Sequence, residues 1–255
     1  MPSYLGQNFL TDSKAKTAIR DLILKYKETC NLTHCVEIGP GKWAITKLIQ
    51  PIFQEQFWAI EKDTTFETIL SQIIHHDHVI RNDVLQVDLQ TLPVALESTL
   101  VYGSLPYYIT SPIISQVFLS QDNKPKPIAG IFIVQKEFAE KVHAWAKKKS
   151  YLRRLLNHSH VVTYHKTIAA KWFSPAPKVD SAIISIVQTV TQQVDYKAML
   201  ILLDKISGFK RKTMGKILKM IDTPIDNIMT VPDSILKKRL EECSRDDMKF
   251  LVDHL

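Results

Sequence analysis

The stretch Val101–Ile114, VYGSLPYYITSPII, decides how the chain is read. It is entered from the short apolar run Leu100-Val101-Tyr102, which predicts the end of a buried strand. The turn Gly103-Ser104 follows, then Leu105-Pro106-Tyr107-Tyr108. Pro106 has no backbone donor and biases Leu105 away from helical angles, so the strand ends there. The carbonyls near Ser104 and Leu105 are then open to hydrogen bonds from another group, and Tyr107 can set an aromatic face beside them. A short polar side chain, open carbonyls and an aromatic plane suit the exocyclic amino group of a flat base. The same residues also fit a strand-ending turn with its aromatics in the core, and the rest of the chain must decide.

Outward from this stretch, short apolar runs alternate with longer amphipathic segments. Strands are predicted at Cys35–Ile38, Phe57–Ile60, Val79–Arg81, Leu100–Tyr102 and Ile128–Val134. Helical spacing marks residues 11–28, with Thr11 or Asp12 as N-cap, and then Ala44–Gln54 and Phe66–Ile74. Such alternation predicts an α/β fold: a mostly parallel sheet with helices on both faces. Two later β-rich runs, Val161–Ala169 and Ser181–Val187, are joined by a proline-rich link and suit an antiparallel pair at one edge. From about Asp195 the pattern turns helical and basic, which predicts a sheet domain over 1–190 and a small helical domain over 191–255.

In a doubly wound sheet the ligand lies beyond the carboxyl ends of the strands, where strand order reverses. The first strand ends Glu37-Ile-Gly39-Pro-Gly41. The chain has only seven glycines, so two spaced one apart at a strand end need a backbone reason. Such a turn lets a ligand approach the main chain and the next helix N-terminus. The second strand ends in Glu61-Lys-Asp63, about 20 residues on, where nucleotide folds hold ribose hydroxyls. The third runs into Asp83, a carboxylate able to accept from an adenine amino group.

Composition narrows the class. With 255 residues, 45% hydrophobic and 23% charged, the chain has the make-up of a soluble globular protein. No apolar run approaches a membrane span, and MPSYLGQNFL lacks the order of a signal peptide, so a cytoplasmic protein is expected. The net charge of +7 favours a polyanionic partner. Phosphate contacts are expected from Lys147-Lys148-Lys149, from Arg153-Arg154, and from Lys210-Arg211-Lys212 with Lys216. Cys30, Cys35 and Cys243 form no CxxC pair and are read as free thiols. His75-His76-Asp77-His78 reads as a solvated loop, and no metal is expected.

Taken in order, these residues resemble the KsgA/Dim-type rRNA adenine dimethyltransferases, which use S-adenosylmethionine. The likeness runs over nearly the whole chain: GQNFL at Gly6–Leu10, EIGPG at Glu37–Gly41, AIEKD, the Asp83 strand end and QKEFAEKV at Gln135–Val142. It continues through FSPAPKVDSAI at Phe173–Ile183 and RKT at Arg211–Thr213 to the closing RLEECSRDDMKFL. The resemblance implies a Rossmann-like methyltransferase sheet with a small C-terminal helical domain, acting as a monomer on ribosomal RNA of the small-subunit precursor. It implies that Asn8 and Leu10 line the cofactor pocket, with Gly39–Gly41 at its methionine end. Glu61 would hold the ribose and Asp83 the adenine. Ser104, Leu105, Pro106 and Tyr107 would hold the target N6, with Ser104 also at the cofactor. Tyr107 and Phe173 would stack on the target base, though Phe173 reads equally as a core aromatic.

Departures from the family are specific. The target motif is normally NLPY, and Ser104 replaces its Asn. Trp43 stands where the family has a small residue, and either points outward or crowds the methionine end. Tyr108 stands where the family often has Asn. Trp43 and Ser104 keep open a non-catalytic RNA-binding assembly protein of the same fold. An Erm-type enzyme acting on large-subunit rRNA is the nearest rival, and SPII, QKEFAEKV and RKT resemble the KsgA/Dim group more than it.

Overall fold

The computed structural model describes residues 7–119, 125–143, 151–157, 159–189, 196–209 and 211–255. The chain opens with β1 (Phe9–Leu10), α1 (Ser13–Thr29), β2 (His34–Ile38), α2 (Thr46–Phe53), β3 (Phe57–Glu61), α3 (Glu67–Leu70) and β4 (Val79–Arg81). It continues through β5 (Thr99–Ser104), α4 (Thr110–Phe118), β6 (Ala129–Gln135), α5 (Lys136–Val142), α6 (Tyr151–Leu156) and β7 (His160–Ile168). After β8 (Phe173–Ser174) and β9 (Ser181–Gln188) come five helices: α7 (Tyr196–Ile206), α8 (Met214–Met220), α9 (Ile225–Thr230), α10 (Asp233–Leu236) and α11 (Arg245–His254).

Seven strands form one sheet in the order β4-β3-β2-β5-β6-β9-β7. The first five are parallel, while β9 runs antiparallel between β6 and β7. The expected antiparallel pair is thus present at one edge. Strand order reverses between β2 and β5, the neighbours in the register Glu37↔Tyr102.

Side-chain alternation along the strands builds a core on each face. Val36, Ile38, Val101, Phe132 and Ile184 face one cluster, together with α4, α5 and α6. Cys35, Phe57, Leu100, Tyr102 and Ile133 face the other, with α1 and α2. Asp12, one of the two N-caps expected for α1, accepts from the Ala15 N–H at 2.7 Å. The first core continues from Leu155 and Leu156 of α6 into Leu203, Ile217, Leu218, Ile235 and Leu251 of the C-terminal helices. The expected boundary at 190/191 falls on residues outside those described. A capping box of Ser244 and Asp247 starts α11, and Lys238 reaches Asp247 at 2.6 Å.

Two helices differ from expectation. The segment 66–74 holds only one α-helical turn, α3, between a 3-10 turn and further turns, and Asp63 accepts from Thr65 N–H at its start. The segment 44–54 becomes helical only at Thr46, because the preceding turn has positive φ at Gly39, Gly41 and Trp43.

Candidate active site

One pocket opens at the carboxyl ends of β2, β3, β4 and β5, and its lining brings together most of the expected site: Asn8, Leu10, Gly39, Gly41, Glu61, Asp83, Ser104, Leu105, Pro106, Tyr107 and Phe173. The turn after β2 is held by backbone bonds. Gly39 has φ +68° and donates to the Ile60 carbonyl at 2.9 Å. Gly41 has φ +51°, and a Cβ there would lie 2.9 Å from Cε1 of Phe9, so a larger residue would be strained and would have to displace that ring. Trp43 also takes a left-handed φ of +59°, unusual for an aromatic residue. Its side chain is not among the pocket lining, packs against the α1–α2 core and lies under Lys47, so the outward reading of Trp43 holds.

Glu61 ends β3 with both oxygens engaged. Oε2 accepts from Gly41 N–H at 3.0 Å, and Oε1 accepts from Asp63 N–H at 2.8 Å. The residue is buried, and that burial raises its pKa against the pull of these bonds. Asp83 lies two residues beyond β4, at the cap of a 3-10 turn. It accepts from Leu85 N–H at 3.0 Å and pairs with Lys62 at 2.9 Å, which together hold its carboxyl below the usual range. Gln7 joins the N-terminal segment to this edge by donating to Asp63 at 2.9 Å.

The decisive turn closes as its sequence requires. Leu105 N–H donates to the Ile133 carbonyl at 3.0 Å, and the Pro106 carbonyl accepts from Ile109 N–H and the Thr110 hydroxyl. Among the described residues no backbone N–H donates to the Leu105 carbonyl. The Tyr107 hydroxyl meets Ser181 Oγ at 2.7 Å, which ties the half-buried ring to the head of β9. Tyr108 is 69% exposed at the pocket mouth. Phe173 is buried in the second core, as its core reading expects, and it also lines the pocket.

Sequence reasoning missed Ser181 and Glu37. Nothing local marks Ser181, which reaches Tyr107 across 74 residues. Glu37 carried a signal: an acid inside the apolar strand Cys-Val-Glu-Ile. It is 3% exposed, and burial pushes its carboxyl up to about 8, with the Thr46 hydroxyl opposing and the Glu61 charge adding.

The basic residues divide. Arg211, Lys212 and Lys216 are exposed beside and on α8. Lys147, Lys148, Lys149 and Lys210 lie outside the described residues. Arg153 corrects an expectation, being only 7% exposed in α6, where its guanidinium is withdrawn from the surface. Arg154 turns inward to the Leu240 carbonyl at 2.6 Å. The three cysteines are free thiols. His75, His76 and Asp77 are exposed with potential donor atoms within 4.8 Å of one another, while His78 stacks on Trp58 at 4.3 Å. Among the described residues no helix is long and apolar enough to cross a membrane.

Comparison with known proteins agrees with this geometry. The "Ribosomal RNA small subunit methyltransferase A" of Chlorobium phaeobacteroides is 32% identical over 255 residues, covering 98% of this chain and 90% of that protein. Among solved structures, a dimethyladenosine transferase from Plasmodium falciparum superposes with a TM-score of 0.74 at 20% identity, covering 96% of each chain. The 23S rRNA methyltransferase ErmE gives 0.71 at 19% identity, covering 97% of this chain and 99% of that one, so the fold alone does not separate the two groups. Residues 2–252 match the family described as "Ribosomal RNA adenine dimethylase", and the chain belongs to that family.

Proposed function

We propose that the protein transfers methyl groups from S-adenosylmethionine to N6 of adenine in ribosomal RNA of the small subunit. The observation that carries this reading is the opening of the Ser104–Tyr107 turn onto the same pocket as Glu61, Asp83 and the Gly39–Gly41 turn. The pocket fits such a cofactor. Gly41 keeps the turn free of side-chain bulk, two carboxylates stand at adjacent strand ends, and a buried Glu37 oxygen lacks a protein partner among the described residues. Glu61 and Asp83 would hold ribose and adenine, and Asn8 and Leu10 the near wall. Trp43 stays clear of the methionine end.

When bound, the cofactor supplies an electrophilic methyl on a sulfonium. The chain's own part is to place a weak nucleophile, since the adenine N6 lone pair is delocalised into the ring. Ser104 Oγ and the Leu105 carbonyl accept from N6 and direct its lone pair towards the methyl. Orientation and electrostatic placement then supply the rate, without a strong general base. The target base must leave its stack, and the Tyr107 ring, braced by Ser181, replaces the lost stacking. Arg211, Lys212 and Lys216 meet phosphates. The small-subunit names of the curated relatives favour that RNA over the large-subunit alternative. The test is radiolabelled methyl transfer to small-subunit particles lacking the modification. Incorporation into adenine N6 is expected, and absence of transfer to a particle that the protein binds would refute the reading in favour of an assembly protein.

A further inference from the structure

The polar groups of the pocket are unequally satisfied. Glu61 has both oxygens met by backbone N–H groups, but Glu37 Oε2 and the Tyr102 hydroxyl have no hydrogen-bond partner among the described residues. The two residues are register partners on β2 and β5, 3% and 1% exposed, and both line the pocket. Thr46 Oγ1, at the start of α2, is buried too; it is near enough to Glu37 to oppose the rise of its pKa, but among the described residues it meets no partner in hydrogen-bond geometry. Native chains rarely keep such atoms together unless a ligand or water completes them.

Among the described residues, the groups acting on Glu37 include no cation. They are Tyr102 from β5, Thr46 from α2, Glu61 from β3, and Cys35 on its own strand. Lys42 of the glycine turn holds its ammonium 4.7 Å from the centroid of the Phe9 ring. Burial without a neighbouring cation favours the neutral carboxylic acid. A positively charged ligand group reverses that balance.

We propose that Glu37 is the proton-exchanging counter-ion of this pocket, ionising when a cationic ligand group enters and protonating when that charge leaves. The carboxylic O–H bond breaks, the proton passes to solvent, and the carboxylate stays opposite the new positive charge. The inference rests on S-adenosylmethionine being the ligand. That cofactor carries two candidate cations, the α-ammonium and the sulfonium, and methyl transfer neutralises the second.

The test is calorimetric titration of the full chain at pH 7, in buffers of differing ionisation enthalpy. Wild type should release close to one proton per S-adenosylmethionine bound, roughly 0.9 for a carboxyl titrating near 8. Glu37→Gln should lack that release, and the cofactor's own titration cancels in the difference. S-adenosylhomocysteine, which lacks the sulfonium, identifies the group sensed: equal release assigns the ammonium and smaller release the sulfonium. Equal proton release by wild type and Glu37→Gln overturns the proposal. Should Glu37→Gln fail to fold, difference infrared spectroscopy of wild type at pH 7 decides, because a protonated-carboxyl band must give way to a carboxylate band when the cofactor binds. No such change overturns the proposal. Binding without this proton linkage defeats the counter-ion and spares the cofactor reading, whereas no binding at any pH defeats both.

Discussion

Replacing Glu61 by Gln tests the cofactor site with the smallest change of shape. The carboxylate now accepts from Gly41 N–H at 3.0 Å and from Asp63 N–H at 2.8 Å. A glutamine amide offers one oxygen and one NH2, so one of those two donors must face another donor. An unsatisfied buried donor costs about 1–3 kcal/mol of stability. Burial raises the Glu61 pKa, however, so the charged form is itself unfavourable in the fold, and the neutral amide recovers part of that cost. The net loss should be about 1 kcal/mol, a melting shift of roughly 2–4 °C for a chain of this size. The sign of the pH dependence follows. The folded wild type holds this proton above the ordinary value of 4.5, so its stability falls relative to Glu61→Gln as pH rises from there through the folded pKa. Cofactor affinity should change far more, because the ribose loses a charged acceptor worth about 1.5–3 kcal/mol, or roughly 10- to 150-fold. Titration calorimetry reads the affinity and thermal unfolding the stability. An affinity within about threefold of wild type would refute the ribose assignment, whatever the melting temperature does.

Other substitutions address separate parts of the site. Ser104→Ala should lower the methylation rate by roughly 10²-fold with cofactor affinity unchanged, while Ser104→Asn keeps activity, as single-turnover assays with cofactor titration will read. Trp43→Gly should leave cofactor affinity at its wild-type value, because the indole points away from the pocket; a gain in affinity would mean that it crowds the site after all. Replacing Arg211 and Lys212 by Ala should flatten the salt dependence of RNA binding by about 0.7–0.9 per lost phosphate contact. A salt slope unchanged from wild type would remove both from the RNA interface.

Much of the site was legible because it is written at strand ends. Gly39, Gly41, Glu61 and the Ser104–Tyr107 turn each follow an apolar run, and a parallel sheet gathers such ends at one edge. Helix lengths were less legible. Residues 66–74 have helical spacing, yet the Asp63 side chain and local turns take up the first N–H groups before an α-helix can propagate. Arg153 was misread because a charge run does not say which members face a neighbouring helix. Ser181 and Glu37 depend on register, in one case with a turn 74 residues away and in the other with the adjacent strand. Periodicity along one segment carries no information about either.

The pocket wall formed by β1 also has a consequence for biosynthesis. Among the described residues Phe9 and Leu10 pair with Ser174 and Phe173 alone, and the Thr11 hydroxyl reaches the Trp172 carbonyl across 161 residues. At ordinary elongation speeds of about 5–20 residues per second, that separation is roughly 8–30 seconds of translation. During this interval the nascent chain can pair β2, β3, β4 and β5, but it has neither the strand that anchors residues 9–10 nor the serine that braces Tyr107. Cofactor retention on the translating ribosome should therefore begin only after Ser181 has emerged. Chains released earlier would carry the glycine turn and both carboxylates, yet leave the pocket without its near wall.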